Sequence, residues 1–466
     1  MYGNDDFERG PQSMQNKYNG KTLLCRTDYN GQTVTGRISM STEAVDVKIV
    51  GFEDFVRFES NRAIPLQLED NQFCTVLPAT TSLGSSASAN LVTYFADVDV
   101  RQAIVGFRPW GAGDLIQEFQ FKLSDTNGLF IAPDIQKAIV AADVNDPPDS
   151  KIVEVTTDGI TIKISFSYTF GWSDQNFQVS DVVGTVVFDE GKTTEQINEL
   201  IGTLGTFFTA AAGIEVWLSD YWIKPSVDNE QPLMGGGSAP AHFQLIWPTG
   251  RVGRPVDYGG LKPTGLLRCW CDSDRKTTTD CLRFWVENWK TWESAFIGML
   301  VAIREGNTFG PNRIVNACKW FESTPGVEQL KVTRKEELKA ISAAAISKAH
   351  DLGLDIDGRI SGAIERLRTE SRKQLFERLI EAEKIKDDEA LRTRFLEDLL
   401  EAYRVRGDFA HAKFYHKSDD DFGQYVRVTR AVEALAFLLL FRQLPLPDDH
   451  PWPHGPNSFT DYFTIP

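Results

Sequence analysis

The residues best suited to chemistry lie close together near the end of one predicted helix. Arg404, Asp408 and His411 are spaced at i, i+4 and i+7, which places them on one face of an α-helix. Arg406 lies five residues before His411, and at Gly407 the helix could break and let Arg406 turn to the same side. The segment therefore combines fixed cations, a titratable imidazole and a carboxylate able to orient it.

Such a set of side chains suits metal-independent cleavage of RNA. An imidazole can accept the proton of a 2′-hydroxyl or donate one to the leaving 5′-oxygen. Guanidinium groups can stabilise the negative charge that develops around the phosphorus. The same spacing fits an ordinary helix in which Arg404 pairs with Asp408 and His411 is a surface residue. Spacing alone favours this plainer interpretation.

The elements that must position these residues are helical. From about residue 280 the apolar residues recur with helical spacing, and Thr333–Glu336 is a capping-box sequence that predicts a helix to about His350. Further helices are predicted from Asp357, from Asp388 and from about Gln424 to Gln443. The helix from Asp388 has one apolar face, made of Leu391, Phe395, Leu399, Leu400 and Tyr403. Short links between consecutive helices predict an antiparallel bundle.

Three tryptophans open this helical half. Trp285, Trp289 and Trp292 stand at i, i+4 and i+7, which could form a platform for stacking bases or a stripe facing the core. The helical spacing favours the core stripe.

The first half of the chain is typical of antiparallel strands. Apolar side chains alternate with polar ones over residues 160–170, and Asp158-Gly159 separates this run from the β-rich segment 152–155. An Asp-Gly pair between two such runs predicts a hairpin. One helix is predicted within this half, from Thr193 to about Ala211.

The charge distribution separates the same two halves. Residues 1–260 carry −15 of the formal net charge of −16, which leaves −1 for residues 261–466. The sequence therefore predicts an α+β multidomain protein: an antiparallel β-rich domain at 1–262, an all-α helical bundle at 263–446 and a proline-rich irregular tail at 447–466. Only the helical half could accept a polyanionic partner without a large rearrangement of charge.

The composition also indicates a compartment and excludes several classes. No secretory leader and no apolar run of membrane-spanning length are visible, so we expect a soluble cytoplasmic protein with no membrane partner. Cys269, Cys271 and Cys281 could supply three thiolates to zinc, with Cys318 as a fourth ligand through the fold. Reduced, buried thiols are the favoured alternative, and no metal or cofactor is predicted.

The helical half resembles the HEPN ribonuclease superfamily, and the wider chain resembles its ApeA branch. Arg406 to His411 fits the Arg-x4-His pattern of these domains, and Arg404 to His411 fits the longer x6 spacing. The segment Arg313–Glu322 is similar to an early helix of the bundle, and residues 195–209 and 213–223 are similar to the end of the ApeA N-terminal domain. The family usually has Asn, Asp or His directly after the arginine, where this chain has Gly407 and then Asp408.

The resemblance implies an activity and a set of roles. Arg406 and His411 would be the catalytic pair, with Arg404 and Asp408 as supporting residues. HEPN nucleases act as homodimers with a composite site and leave 2′,3′-cyclic phosphate and 5′-hydroxyl ends without a metal. ApeA-like proteins defend bacteria against phage by abortive infection, with cleavage of tRNA in the anticodon region as the expected activity and a phage protein as a trigger. The acidic N-terminal domain would then be a sensor or restraint.

Two alternatives remain open at this point. The helical domain could be a weak or inactive HEPN scaffold for dimerisation, with the β-rich domain binding a protein or a glycan. The chain could also be a toxin held in check by an antitoxin.

Overall fold

A computed structural model describes most of the chain. It describes residues 20–29, 32–41, 45–51, 63–88, 91–124, 130, 150–171, 176–226, 230–232, 238–240, 242–246, 267, 272–306, 308–310, 312–383, 388–410, 419–447 and 459–463.

The N-terminal part is built from fourteen described strands. They are β1 Lys21–Tyr29, β2 Gln32–Met40, β3 Val45–Gly51, β4 Ile64–Leu68, β5 Phe73–Ser88, β6 Leu91–Gly106, β7 Ile116–Leu123, β8 Lys151–Thr157, β9 Ile160–Gly171, β10 Asn176–Lys192, β11 Leu218–Pro225, β12 Glu230–Pro232, β13 Ser238–Pro240 and β14 Phe243–Ile246. Twelve of them form one sheet in the order β3-β2-β1-β4-β5-β6-β14-β11-β7-β10-β9-β8, in which the recorded pairs are antiparallel.

The first six strands close on themselves because β3 also pairs with β6. Alternate residues of these strands point inwards, as period-two patterning requires. Ile38, Cys74 and Val76 are among the fully buried side chains of the resulting core. This ring leaves one face of each strand for the core and one for solvent. Most of the intervening positions are polar, and Leu24 and Val50 are exposed apolar exceptions.

The predicted hairpin is confirmed. β8 and β9 pair in register from Thr157 opposite Ile160, and Asp158 and Gly159 both have positive φ, at 46° and 74°. Two central residues with positive φ define the turn that matches the twist of paired strands, and glycine adopts this conformation without steric cost.

The helices are α1 Thr194–Ala212, α2 Asp272–Glu305, α3 Arg313–Ser323, α4 Lys335–Asp351, α5 Asp357–Glu365, α6 Arg372–Ala382, α7 Glu389–Ala410 and α8 Asp419–Phe441, with 3-10 turns at Arg366–Arg368 and Phe459–Phe463. The predicted helix at Thr193 is confirmed: the Gln196 side chain accepts from the Thr193 N–H at 3.0 Å. The helix predicted from Thr333 begins two residues later, and the Glu337 carboxylate accepts from the Arg334 N–H at 3.3 Å. The fold class predicted from the sequence, a β-rich part followed by a helical part, is confirmed.

The helical part has its own core. Phe296, Phe321, Phe376, Phe395 and Leu435 are fully buried or nearly so, and α8 packs against both α3 and α7. A Cβ at Gly298 of α2 would lie 2.6 Å from the Trp320 ring of α3, so only glycine permits this close approach. The three tryptophans of α2 are buried, which confirms the core interpretation of their spacing.

The prediction of an irregular tail is wrong for five of its residues. Phe459–Phe463 forms a 3-10 turn in which Tyr462 is buried and donates to the Asp398 carboxylate at 2.8 Å. The Phe459 ring contacts Trp320 and Phe437. Aromatic burial here outweighs the surrounding prolines, whose effect on the backbone is local.

Internal contacts divide the chain into two compact units. The first comprises residues 1–208, 216–261 and 267–286, and the second comprises 209–215, 262–266 and 287–466. Residues 267–286 belong to the first unit although they lie after the predicted limit at residue 262. The domain bounds given by the sequence stay a prediction. No helix in the described ranges has both the length and the apolar character needed to cross a bilayer.

Candidate functional site

Helix α7 carries the residues singled out from the sequence. The Asp388 side chain caps its N-terminus by accepting from the N–H groups of Ala390 and Leu391 at 3.0 and 3.1 Å. The apolar face predicted from the sequence is confirmed, since Leu391, Phe395, Leu399 and Tyr403 are buried and Leu400 is half-buried. Packing along this face fixes the rotation of α7 and so decides where each polar side chain points.

The break at Gly407 that the sequence allows does not occur. α7 continues through this residue to Ala410. Glycine within a helix costs about 1 kcal/mol relative to alanine, and the packing of the buried neighbours Tyr403 and Val405 outweighs that cost. Arg406 therefore keeps the direction that a regular helix gives it and does not turn towards Arg404.

Arg404 and Asp408 lie on the same face of α7, as their spacing predicted. Their nearest charged atoms are 3.2 Å apart, and Arg404 also makes two hydrogen bonds to Glu401 at 2.5 and 2.7 Å. The Glu401 carboxylate and, to a smaller extent, Asp408 raise the pKa of the Arg404 guanidinium. The Arg404 side chain is 65% exposed, so these pairs are of the kind that adds little to stability.

Arg406 faces another side of α7, because two residues correspond to about 200° of helix rotation. Its guanidinium donates to the Glu322 carboxylate at 2.5 Å, across 84 residues of sequence. Glu322 lies in the last turn of α3, where a negative charge is unfavourable to the helix dipole, and Arg406 offsets it. The ion pair raises the pKa of Arg406, which is half-buried.

The Tyr403 ring lies next to this ion pair. It packs against Phe321 of α3 and Phe376 of α6, and the guanidinium carbons of Arg372 and Arg406 lie 3.9 and 5.5 Å from its centroid. The buried Tyr403 hydroxyl has no hydrogen-bond partner of normal geometry among the described residues. Burial raises its pKa above the usual range.

Cys318 lies close to the same residues. Burial raises the pKa of its thiol to about 12, and the nearby Arg406, Arg372 and Tyr403 side chains lower it only in part. Burial therefore favours the neutral thiol over the thiolate.

The zinc hypothesis concerned Cys269, Cys271 and Cys281, with Cys318 as a fourth ligand. Cys281 is a free, buried thiol whose pKa burial raises to about 12, as the alternative of a buried structural thiol requires. Cys269 and Cys271 lie outside the described residues. Within the described ranges, no three His, Cys, Asp or Glu side chains are grouped as metal ligands.

His411 also lies outside the described residues. The structure thus places Arg404 with Asp408 on one face of α7 and Arg406 on another, and leaves the relation of His411 to either of them a prediction. A catalytic role for all four residues likewise stays a prediction.

The anchoring of α3 determines where Glu322 meets Arg406. Arg313, at the start of α3, makes two hydrogen bonds to the Glu433 carboxylate of α8, at 2.8 and 3.0 Å, with both side chains buried. The Arg313 guanidinium also donates to the carbonyls of Gly306 and Thr308 and stacks on the Phe309 ring. A buried pair with most donors satisfied fixes α3 against α8 in one register.

Comparison with known proteins adds no relative. No family model, no curated protein and no solved structure matches this chain. The resemblance to ApeA-like HEPN proteins therefore remains what the short motif and its context indicate.

Sequence reasoning did not bring three residues together at this site, although Tyr403 was already predicted on the apolar face of its helix. Glu322, Tyr403 and Arg372 come from three different helices, and the separations between them carry no periodic signal. One clue was available for Glu322: a carboxylate at the C-terminal end of a predicted helix needs a cation nearby.

Proposed function

We propose that this chain is a metal-independent endoribonuclease of the HEPN type, with Arg406 and His411 as its catalytic pair. The observation that carries the proposal is the state of Arg406. Its guanidinium is half-buried beside the Tyr403 ring, and Arg406 precedes His411 by five residues in the sequence. A cation held in this way loses little conformational freedom when it binds a phosphate.

The proposed reaction is an internal transesterification of RNA. The imidazole of His411 takes the proton of a 2′-hydroxyl, and the 2′-oxygen attacks the adjacent phosphorus. The bond from phosphorus to the 5′-oxygen breaks, and the leaving oxygen receives a proton from a protonated His411 imidazole, so that no net proton is gained or lost. Arg406 stabilises the negative charge on the phosphoryl oxygens during the attack. The products are a 2′,3′-cyclic phosphate and a 5′-hydroxyl.

Several further features belong to this proposal because of the family resemblance. Two chains would pair through their helical domains, so that each contributes an Arg406 and a His411 to one composite site. The substrate would be tRNA, cut in the anticodon region during abortive infection of a bacterium by phage. The acidic β-rich part would respond to a trigger such as a phage protein.

A non-catalytic role has one observation in its favour. Arg404 and Arg406 are both neutralised by carboxylates, Arg404 by Glu401 and Asp408, and Arg406 by Glu322. A helical domain whose candidate cations are all paired could serve for dimerisation alone, with the β-rich part as a module that binds a protein or a glycan.

Replacing His411 with alanine separates the two proposals. The purified wild-type chain, His411→Ala and the control His350→Ala are incubated with total tRNA in excess EDTA, and the fragment ends are mapped by sequencing. His350 is an exposed residue of α4 that pairs with Asp357, away from the motif. We expect wild type and the control to cleave and His411→Ala to be inactive.

Each of the other results has a definite meaning. Equal cleavage by His411→Ala would remove the catalytic assignment. Cleavage that EDTA abolishes would point to a metal-dependent reaction. No cleavage by any of the three proteins, and no growth arrest when they are expressed in bacteria challenged with phage, would favour the dimerisation scaffold.

A further inference from the structure

Arg372 is an arginine for which the proposed mechanism has no role. It is the first residue of α6, its side chain is exposed, and it makes no ion pair with any residue that the structure describes. Its guanidinium carbon nevertheless lies only 3.9 Å from the Tyr403 ring centroid, which is a close cation–π contact. Stacking on an aromatic ring orients a planar guanidinium and leaves its N–H donors free for a ligand.

The same ring carries a second guanidinium. The Arg406 carbon lies 5.5 Å from the Tyr403 centroid, so both cations lie beside one aromatic side chain. Both also act electrostatically on Cys318 and on Tyr403, which places them around the same small volume. Two guanidinium groups that reach one phosphate can each give it two N–H donors.

Glu322 is the only carboxylate that pairs with either cation among the described residues, and it pairs with Arg406 alone. The group of Arg372, Arg406 and Glu322 therefore has a local charge of +1. Within the described part of the chain Arg372 has no counter-ion, and the counter-ion of Arg406 is 42% exposed and can be displaced. An anion that brings two oxygens satisfies both guanidinium groups better than a single carboxylate does.

We propose that Arg372, stacked on the Tyr403 ring, and Arg406, within cation–π distance of the same ring, form a binding site for an RNA phosphodiester, and that Glu322 occupies part of this site in the free protein. The inference rests on the proposed function and adds to it a binding residue, Arg372, and a competing carboxylate, Glu322. RNA binding requires the Glu322 carboxylate to leave Arg406. Removing the Arg372 guanidinium should therefore weaken RNA binding, and removing the Glu322 charge should strengthen it.

The test is a binding measurement that does not depend on cleavage. The full-length chain is titrated into a fluorescent RNA oligonucleotide whose 2′-hydroxyls are methylated, so that it cannot react, over a series of salt concentrations. Arg372→Ala should weaken binding about 10-fold and reduce the slope of log affinity against log salt by about one phosphate contact. Arg372→Lys should recover only part of the affinity, because lysine neither stacks nor donates in pairs.

Glu322→Gln should strengthen binding several-fold, because it keeps the side-chain shape and removes the competing charge. Arg359→Ala and Glu336→Gln provide the matched controls. Both residues are exposed, on α5 and α4, and neither has an ion-pair partner among the described residues. The controls should bind as the wild type does, and thermal unfolding of every variant verifies that the fold is intact.

The outcomes distinguish this inference from the proposed function. If wild type cleaves RNA, His411→Ala does not, and Arg372→Ala binds as tightly as wild type, only the phosphate site is overturned. If Glu322→Gln weakens binding, the carboxylate positions Arg406 for the ligand and does not compete with it, which also overturns the inference. If the wild-type chain binds no RNA, both proposals fail together.

Discussion

The buried ion pair between Arg313 and Glu433 offers the sharpest test of how the site is supported. Both side chains are about 5% exposed, and burial raises the pKa of Glu433 while Arg313 opposes that shift. Replacing Glu433 with leucine removes both of its acceptor oxygens. The buried guanidinium then keeps the carbonyls of Gly306 and Thr308 and the more distant Glu305 carboxylate, at 3.8 Å. Removing one partner of such a pair costs about 3–5 kcal/mol.

The double variant separates the cost of an unpaired charge from the value of the pair. Arg313→Met with Glu433→Leu replaces the pair by apolar groups of similar size, a change that is often neutral or stabilising in proteins. We therefore expect the double variant to be more stable than Glu433→Leu alone, with a coupling free energy of at least about 2 kcal/mol between the two positions.

Thermal unfolding provides the assay. A loss of 1 kcal/mol lowers the midpoint by about 2–4 °C for a unit of this size, so Glu433→Leu should lower the transition of the helical unit by roughly 10 °C. A shift of less than about 2 °C would refute the reasoning. Simple addition of the two single effects in the double variant would refute it as well, because it would mean that the pair carries no coupling.

Two further predictions concern single positions in the helical unit. Gly407→Ala should raise the free energy of unfolding by about 0.5–1 kcal/mol, since an added Cβ meets no atom within 4 Å and alanine is the better helix former; urea denaturation measures this, and a loss of stability would mean that α7 is not a regular helix at this point. Glu383 is buried beside Arg442, and burial raises its pKa from 4.5 to about 7. The folded state therefore binds the extra proton between these two pH values, and stability falls as the pH rises through this window, by at most about 3 kcal/mol. Glu383→Gln should flatten the dependence of the unfolding midpoint on pH between 5 and 8, and an unchanged pH profile would contradict the assignment.

Local patterns in the sequence predicted the elements well wherever one face of an element is buried. The alternation over residues 160–170 and the Asp158-Gly159 pair specify a hairpin, because period-two burial and positive φ leave few other conformations. The apolar face of α7 and the tryptophan stripe of α2 follow in the same way from helical spacing. These features depend on residues that are neighbours in sequence.

Local patterns failed where tertiary packing outweighed them. Gly407 has a low helix propensity, yet α7 continues through it because its buried neighbours hold the helix in place. Residues 459–463 follow prolines, yet Tyr462 is buried against α7 with its hydroxyl paired to Asp398. In both cases the free energy of burying aromatic side chains exceeds the local preference of the backbone.

The sequence by itself determined the two-part α+β architecture, the split of charge between its halves and the arginines and histidine of the motif. Only the tertiary structure decided how those arginines are used. It separates Arg404 from Arg406 on α7, pairs Arg406 with Glu322 of α3 and sets Arg372 of α6 on the Tyr403 ring. The reason is physical: helical spacing fixes the direction of each side chain around one axis, but the partners come from helices whose positions depend on the packing of the whole core.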